Sequence, residues 1–170
     1  ERGKILRILV FDQATKVTGW ALLQDRVPLA YGHINEADVD PPSERIKDMF
    51  LQIVGKIETY NPDLVVVEGV QHQANAKTML MLSQLQGMCI GAAYQKDLAV
   101  YSPLPVEWRK ILNYKQGAHM KRAELKQQSI DYVRTHFDIV ATEDECEAIC
   151  IGVAASKKYE SEIVHERYLG

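Results

Sequence analysis

Ile5-Leu6-Arg7-Ile8-Leu9-Val10-Phe11-Asp12, set beside Leu64-Val65-Val66-Val67-Glu68, decides the fold. Both are short apolar runs, rich in branched side chains, that end on a carboxylate. Such a run reads as a buried strand. An acid at its end is costly to bury unless it is paired or binds a cation. In mixed sheets, functional groups gather at strand ends, where loops open to solvent. Asp12 and Glu68 are therefore the first candidate site residues; for either one alone, a strand-terminal acid capping a turn is the competing reading.

Outward from the first run, Gly19 to Leu23 and Pro28 to Ile34 read as two more strands around a polar turn at Gln24-Asp25-Arg26. Their short connections predict antiparallel hairpins. Asp40-Pro41-Pro42-Ser43 is helix-start chemistry. After it, Ile46, Met49, Phe50, Ile53, Val54 and Ile57 fall on one helical stripe. Asn61-Pro62-Asp63 ends that helix. Residues 74–95 predict a long helix and Leu98 to Tyr101 a fifth strand, with helical segments at 106–113, 121–136 and 144–158. Strand, helix, strand implies a right-handed crossover and parallel pairing. The expected class is α/β, a ribonuclease H-like mixed five-stranded sheet flanked by helices. One nuclease-type domain over 1–158 and a peripheral charged tail over 159–170 are expected.

A third acidic element is Glu143-Asp144-Glu145-Cys146-Glu147. Asp144 and Glu147 are three apart and share a helical face. Four acids in five residues repel unless solvated or neutralised, and an acidic first helical turn is the plain alternative. Asp12, Glu68, Asp144 and Glu147 together suit one four-carboxylate pocket. All-oxygen ligands favour Mg²⁺, with Mn²⁺ able to substitute. Two such ions roughly 4 Å apart would clamp a scissile phosphate and activate water.

Net charge is −3, yet charge is segregated. Pro105 to Thr135 holds seven bases against three acids, and Asp138 to Ile151 holds five acids and no base. Bases for phosphates beside acids for metal fit a nuclease; two solvated helix faces are the bland alternative. Cys89, Cys146 and Cys150 lack zinc-site or disulfide spacing and read as buried reduced thiols of a cytoplasmic protein. No membrane span is visible.

In these residues the chain resembles the RuvC family of Holliday-junction resolvases. Leu9-Val10-Phe11-Asp12 with Thr18-Gly19-Trp20-Ala21 is similar to the family's first strand and turn. Pro62 to Glu68 matches the segment with its glutamate, and Asn75-Ala76 with Gln84-Leu85-Gln86-Gly87 the helix that follows. Asp144-Glu145-Cys146-Glu147-Ala148 matches its paired acids. Pro103 with Val106 to Lys110 resembles the segment leading to a phosphate-binding lysine, and Lys121 a second basic position. The resemblance implies a homodimer that cuts four-way and other branched DNA by paired nicks. Gln13-Ala14-Thr15 replaces the family's usual Pro-Gly and resembles phage members, so a phage-encoded enzyme of the bacterial host cytoplasm is expected. Glu147 stands where aspartate is usual. Val70-Gln71-His72-Gln73 offers no aromatic wedge, so cleavage should follow branching more than sequence.

Lys110 and Lys121 are the first candidates for DNA phosphates, then Arg109, Lys115, Arg122 and Lys126. His72 and His119 are candidate proton carriers, with surface histidines the competing reading. Trp108 reads as a core anchor. Three rival functions stay open: an actin-like ATPase half-domain, which needs a glycine-rich loop not found here; a non-catalytic branched-DNA binding protein; and a nuclease of RNA–DNA hybrids.

Overall fold

The computed structural model describes residues 6–71 and 75–169, the last ten of these by their backbone course alone. Three strands lead the chain: β1 (Arg7–Asp12), β2 (Val17–Gln24) and β3 (Val27–Asn35). Then come α1 (Pro42–Tyr60), β4 (Leu64–Val67), α2 (Ala76–Gln95), β5 (Ala99–Tyr101), α3 (Pro105–Ile111), α4 (Arg122–Phe137) and α5 (Glu143–Leu169). The five strands form one sheet in the order β3-β2-β1-β4-β5. β1, β2 and β3 pair antiparallel, whereas β4 and β5 join parallel to β1. The expected mixed sheet is thus the observed one. The main difference is at the end: α5 continues as helix through Leu169, past residue 158 where the sequence reading closed the domain.

Alternation along β1 explains the layering. Ile8 and Val10 enter a core with α3, α4 and α5, while Leu9 and Phe11 enter another with α1 and α2. The α1 stripe buries Ile46, Met49, Ile53 and Ile57, as its period requires; Phe50 and Val54 flank it half-buried. On the other side, α5 packs through Ala148, Cys150, Ala154 and Ala155, all fully buried. Gly152 belongs to that contact: a Cβ there would stand 2.3 Å from a Leu23 methyl. Small residues bring the helix axis close to β1 and β2, so its first turn lies over the end of β1.

Candidate metal centre and active site

Four pieces of backbone bring the acids together. Asp12 is the last residue of β1 and pairs across β2 with Gly19. The parallel register Phe11↔Val67 places Glu68 beside Asp12, and the Glu68 N–H donates to the Phe11 carbonyl at 3.2 Å. Asp144 and Glu147 come from the first turns of α5. Gly19 makes their approach possible, because a Cβ there would stand 2.0 Å from the Asp144 carbonyl oxygen. The glycine in Thr18-Gly19-Trp20 is a steric requirement of the site rather than of the strand.

Asp12, Asp144 and Glu147 offer ligand oxygens within 4.8 Å of one another. Glu68 lines the same cleft, but its Oε1 accepts from the Trp108 indole N–H at 2.8 Å. Burial pushes the Asp12 carboxyl well above its usual range, and the neighbouring Glu68, Glu147 and Asp144 push it further. Burial and Glu68 also raise Glu147, against the opposing pull of Lys126 and Arg109. Asp12 and Glu147 resist ionising beside other acids, which marks a shortage of positive charge, and the donors are all hard oxygens. These residues fit a hard divalent cation.

The basic candidates divide. Lys126 Nζ stands 2.9 Å from Glu143, 3.7 Å from Asp144 and 4.0 Å from Glu147. Partial burial works against its charge, but Glu143, Glu147 and Asp144 more than offset this and raise its pKa. Arg109 approaches Glu147 at 3.7 Å and, with Arg122, lines the cleft. Lys110, Lys115 and Lys121 are exposed outside that lining, as is His119. His72, and the 72–73 half of the wedge region, lie outside the described residues.

Trp108 is fully buried, as a core anchor should be, yet its N–H also fixes Glu68. In sequence it reads as a core anchor alone; the signal for a second role is that a buried indole N–H needs an acceptor. A second unforeseen link runs from α2. Gln86 donates to Ser102 Oγ at 2.7 Å and to the Glu68 carbonyl at 3.3 Å, and Ser102 Oγ donates to the Val67 carbonyl at 2.8 Å. The cleft measures about 710 Å³, and the acids share its lining with Pro105, Arg109, Arg122, Gln13, Arg45, Thr78 and Met81.

Residues 8–154 match the family described as crossover junction endodeoxyribonuclease RuvC. The RuvC of Dechloromonas aromatica is 30% identical over 154 residues, covering 87% of this chain and 83% of that protein. The RuvC of Dictyoglomus turgidum is 31% identical over 106 residues, 59% of this chain and 67% of that one. In fold, the chain is similar to Thermus thermophilus RuvC in complex with Holliday junction substrate, with TM-score 0.73, 14% identity, and coverage of 91% of this chain and 96% of that one. It is also similar to the yeast mitochondrial Holliday junction resolvase Ydc2, with TM-score 0.64, 16% identity, and coverage of 96% and 82%.

Proposed function

The chain belongs to the RuvC family of crossover junction endodeoxyribonucleases and is a Holliday-junction-resolving endonuclease; we propose that it works as a homodimer, making paired metal-dependent nicks through Asp12, Glu68, Asp144 and Glu147. The observation that carries this assignment is the convergence of Asp12, Asp144 and Glu147 within 4.8 Å, with Glu68 beside them. The actin-like reading has no support in these matches.

Mg²⁺, with Mn²⁺ able to substitute, would supply Lewis acidity toward the scissile phosphate and acidify a nucleophilic water. Asp12, Asp144 and Glu147, with Glu68 beside them, would hold it. Trp108 keeps one Glu68 oxygen in a fixed direction, with the carboxylate beside Asp12. Arg109 and Lys126 already counter the acids and would meet the phosphate oxygens arriving between them. Arg122 extends this basic wall inside the cleft, and Lys110, Lys115 and Lys121 extend it outside, along the flanking DNA backbone.

The exposed apolar residues Leu51, Leu80, Met88 and Tyr94 on α1 and α2 support a second copy packing there. Three buried free cysteines fit a reducing cytoplasm, and no described helix is long and apolar enough to cross a membrane. Cleavage is expected to follow branching more than sequence.

The test is cleavage of an end-labelled four-way junction with Mg²⁺, beside Asp12→Asn and Glu68→Gln. Symmetric paired nicks that both variants lose establish the assignment. Tight junction binding without metal-dependent nicking would overturn it in favour of a binding protein. Preferential cutting of an RNA–DNA hybrid in competition would overturn the substrate.

A further inference from the structure

Gln13 directly follows Asp12 in the sequence, but the proposed metal chemistry gives it no role. It lines the cleft, is only 9% exposed, and neither its amide nitrogen nor its amide oxygen has a hydrogen-bond partner. A buried primary amide without partners is costly, and native proteins rarely tolerate one without a use for it. Its backbone is not free to carry it into water. Thr18, fully buried, donates its hydroxyl to the Ala14 carbonyl at 2.8 Å and accepts from the Ala14 N–H at 3.0 Å, which pins the turn that Gln13 opens.

A second unsatisfied group lines the same cleft. Arg45, next to the buried Ile46 on α1, donates through Nη1 to the Val39 carbonyl at 3.3 Å. Its Nε is buried and unpartnered, and among the described residues no carboxylate pairs with it. Phe11, two residues before Gln13, shares a core with Ile46, the neighbour of Arg45 on α1. Gln13 and Arg45 line the same cleft as Asp12, Arg109 and Arg122. An amide N–H₂ without an acceptor and a guanidinium whose Nε–H is unpaired suit an anion with several oxygens.

We propose that Gln13 and Arg45 form a subsite for a backbone phosphate of the DNA, distinct from the acidic cluster. Arg45 supplies the charge and the Gln13 N–H₂ donates to a non-bridging oxygen. With Arg109 and Arg122 in the same cleft, the strand would be held at a second phosphate as well. The subsite rests on junction DNA being the substrate.

The test is junction binding with Ca²⁺ in place of Mg²⁺, the strands checked intact on a gel, for the parent, Gln13→Met and Arg45→Met. Gln13→Met removes the amide but keeps its bulk. It should bind about tenfold more weakly while its melting temperature holds or rises, because an unpaired amide has left the interior. Arg45→Met should also bind about tenfold more weakly, and its slope of log K against log salt should flatten by about 0.9, one phosphate contact. The double variant should lose less than the product of the two, since both groups hold one phosphate. Parent-like binding by Gln13→Met overturns the subsite, as does a fall in binding that merely tracks a fall in melting temperature. If the parent itself neither binds nor cuts junctions, the substrate assignment falls with it; a parent that does both beside an unaffected Gln13→Met overturns the subsite alone.

Discussion

The two faces of the sheet are built to different tolerances. On the α5 face every approach is tight: Gly19 meets the Asp144 carbonyl and Gly152 meets Leu23, with no room for a methyl group at either. On the α1–α2 face the helix glycines Gly55, Gly87 and Gly91 have nothing within 4 Å of where a Cβ would stand. Leu80, Met88 and Tyr94 are exposed there too. Close packing fixes positions because a core in contact has few alternative arrangements. On the face that supplies Asp144 and Glu147 these contacts fix the helix against the sheet, as metal chemistry demands, while the outer surface of α1 and α2 leaves space to meet DNA or a second copy.

The sharpest break of this contrast is to remove charge from the α5 side. Asp12→Asn should lower junction cleavage by a thousandfold or more, roughly 4 kcal/mol of transition-state stabilisation. Folding should respond oppositely. Asp12 is ionised with difficulty because it is buried beside Glu68, Glu147 and Asp144. The asparagine variant should therefore melt higher than the parent in EDTA and gain nothing from added Mg²⁺, which raises the parent's melting temperature. Thermal melts with and without Mg²⁺ check both halves, and a parent indifferent to Mg²⁺ would remove the case for a metal centre.

Gly19→Ala tests the tight contact itself. The new methyl would collide with backbone, which cannot rotate away, so either α5 or β2 must shift. Overpacking of this kind costs about 3 kcal/mol, which lowers the melting temperature of a domain this size by roughly 6–12 °C. Cleavage should fall more than stability alone explains at 25 °C, because the shift separates Asp144 from Asp12. Full activity in a destabilised variant would show that the site adapts to displacement of its helix.

The sequence made visible what repeats locally. Apolar runs ending at Asp12 and Glu68, the α1 stripe and the order of elements all follow from neighbouring residues, and they placed the sheet and its acids. What it hid depends on contacts between distant positions. Trp108 reaches Glu68 across 40 residues, and nothing near it in sequence tells a core indole from one that also orients a carboxylate. Lys126 was one lysine among seven bases until α4 laid it against α5. In sequence Gln13 stands out only for replacing the usual Pro-Gly, and Arg45 not at all, because an unsatisfied group is defined by what surrounds it. Cleft shape likewise separates Arg109 and Arg122 from Lys110 and Lys121, which composition treats alike.

Trp108→Phe measures how far orientation matters on the α5 face. The ring still fills its place against Tyr114, so the loss is mainly the donation to Glu68, about 2 kcal/mol for a hydrogen bond to a charged acceptor. Cleavage at saturating Mg²⁺ should fall about tenfold, with a higher Mg²⁺ concentration for half-maximal rate and junction affinity unchanged. An unchanged Mg²⁺ dependence would reduce the indole to packing.

The smallest effect asks whether the α1–α2 face is open. Gly87 lies inside α2, exposed, with space where its side chain would be. Alanine there removes the backbone-entropy cost of a helical glycine and should stabilise the monomer by up to about 1 kcal/mol, roughly 2–4 °C in melting temperature. If a second copy covers this face, the added methyl meets that copy instead. The gain would then shrink or reverse as protein concentration rises through the range where dimers form. Melting curves across protein concentrations, read beside sedimentation of the same samples, separate the two cases. A constant gain while dimers accumulate would mean that the partner does not rest on Gly87 and that Leu80, Met88 and Tyr94 are covered by something other than this chain.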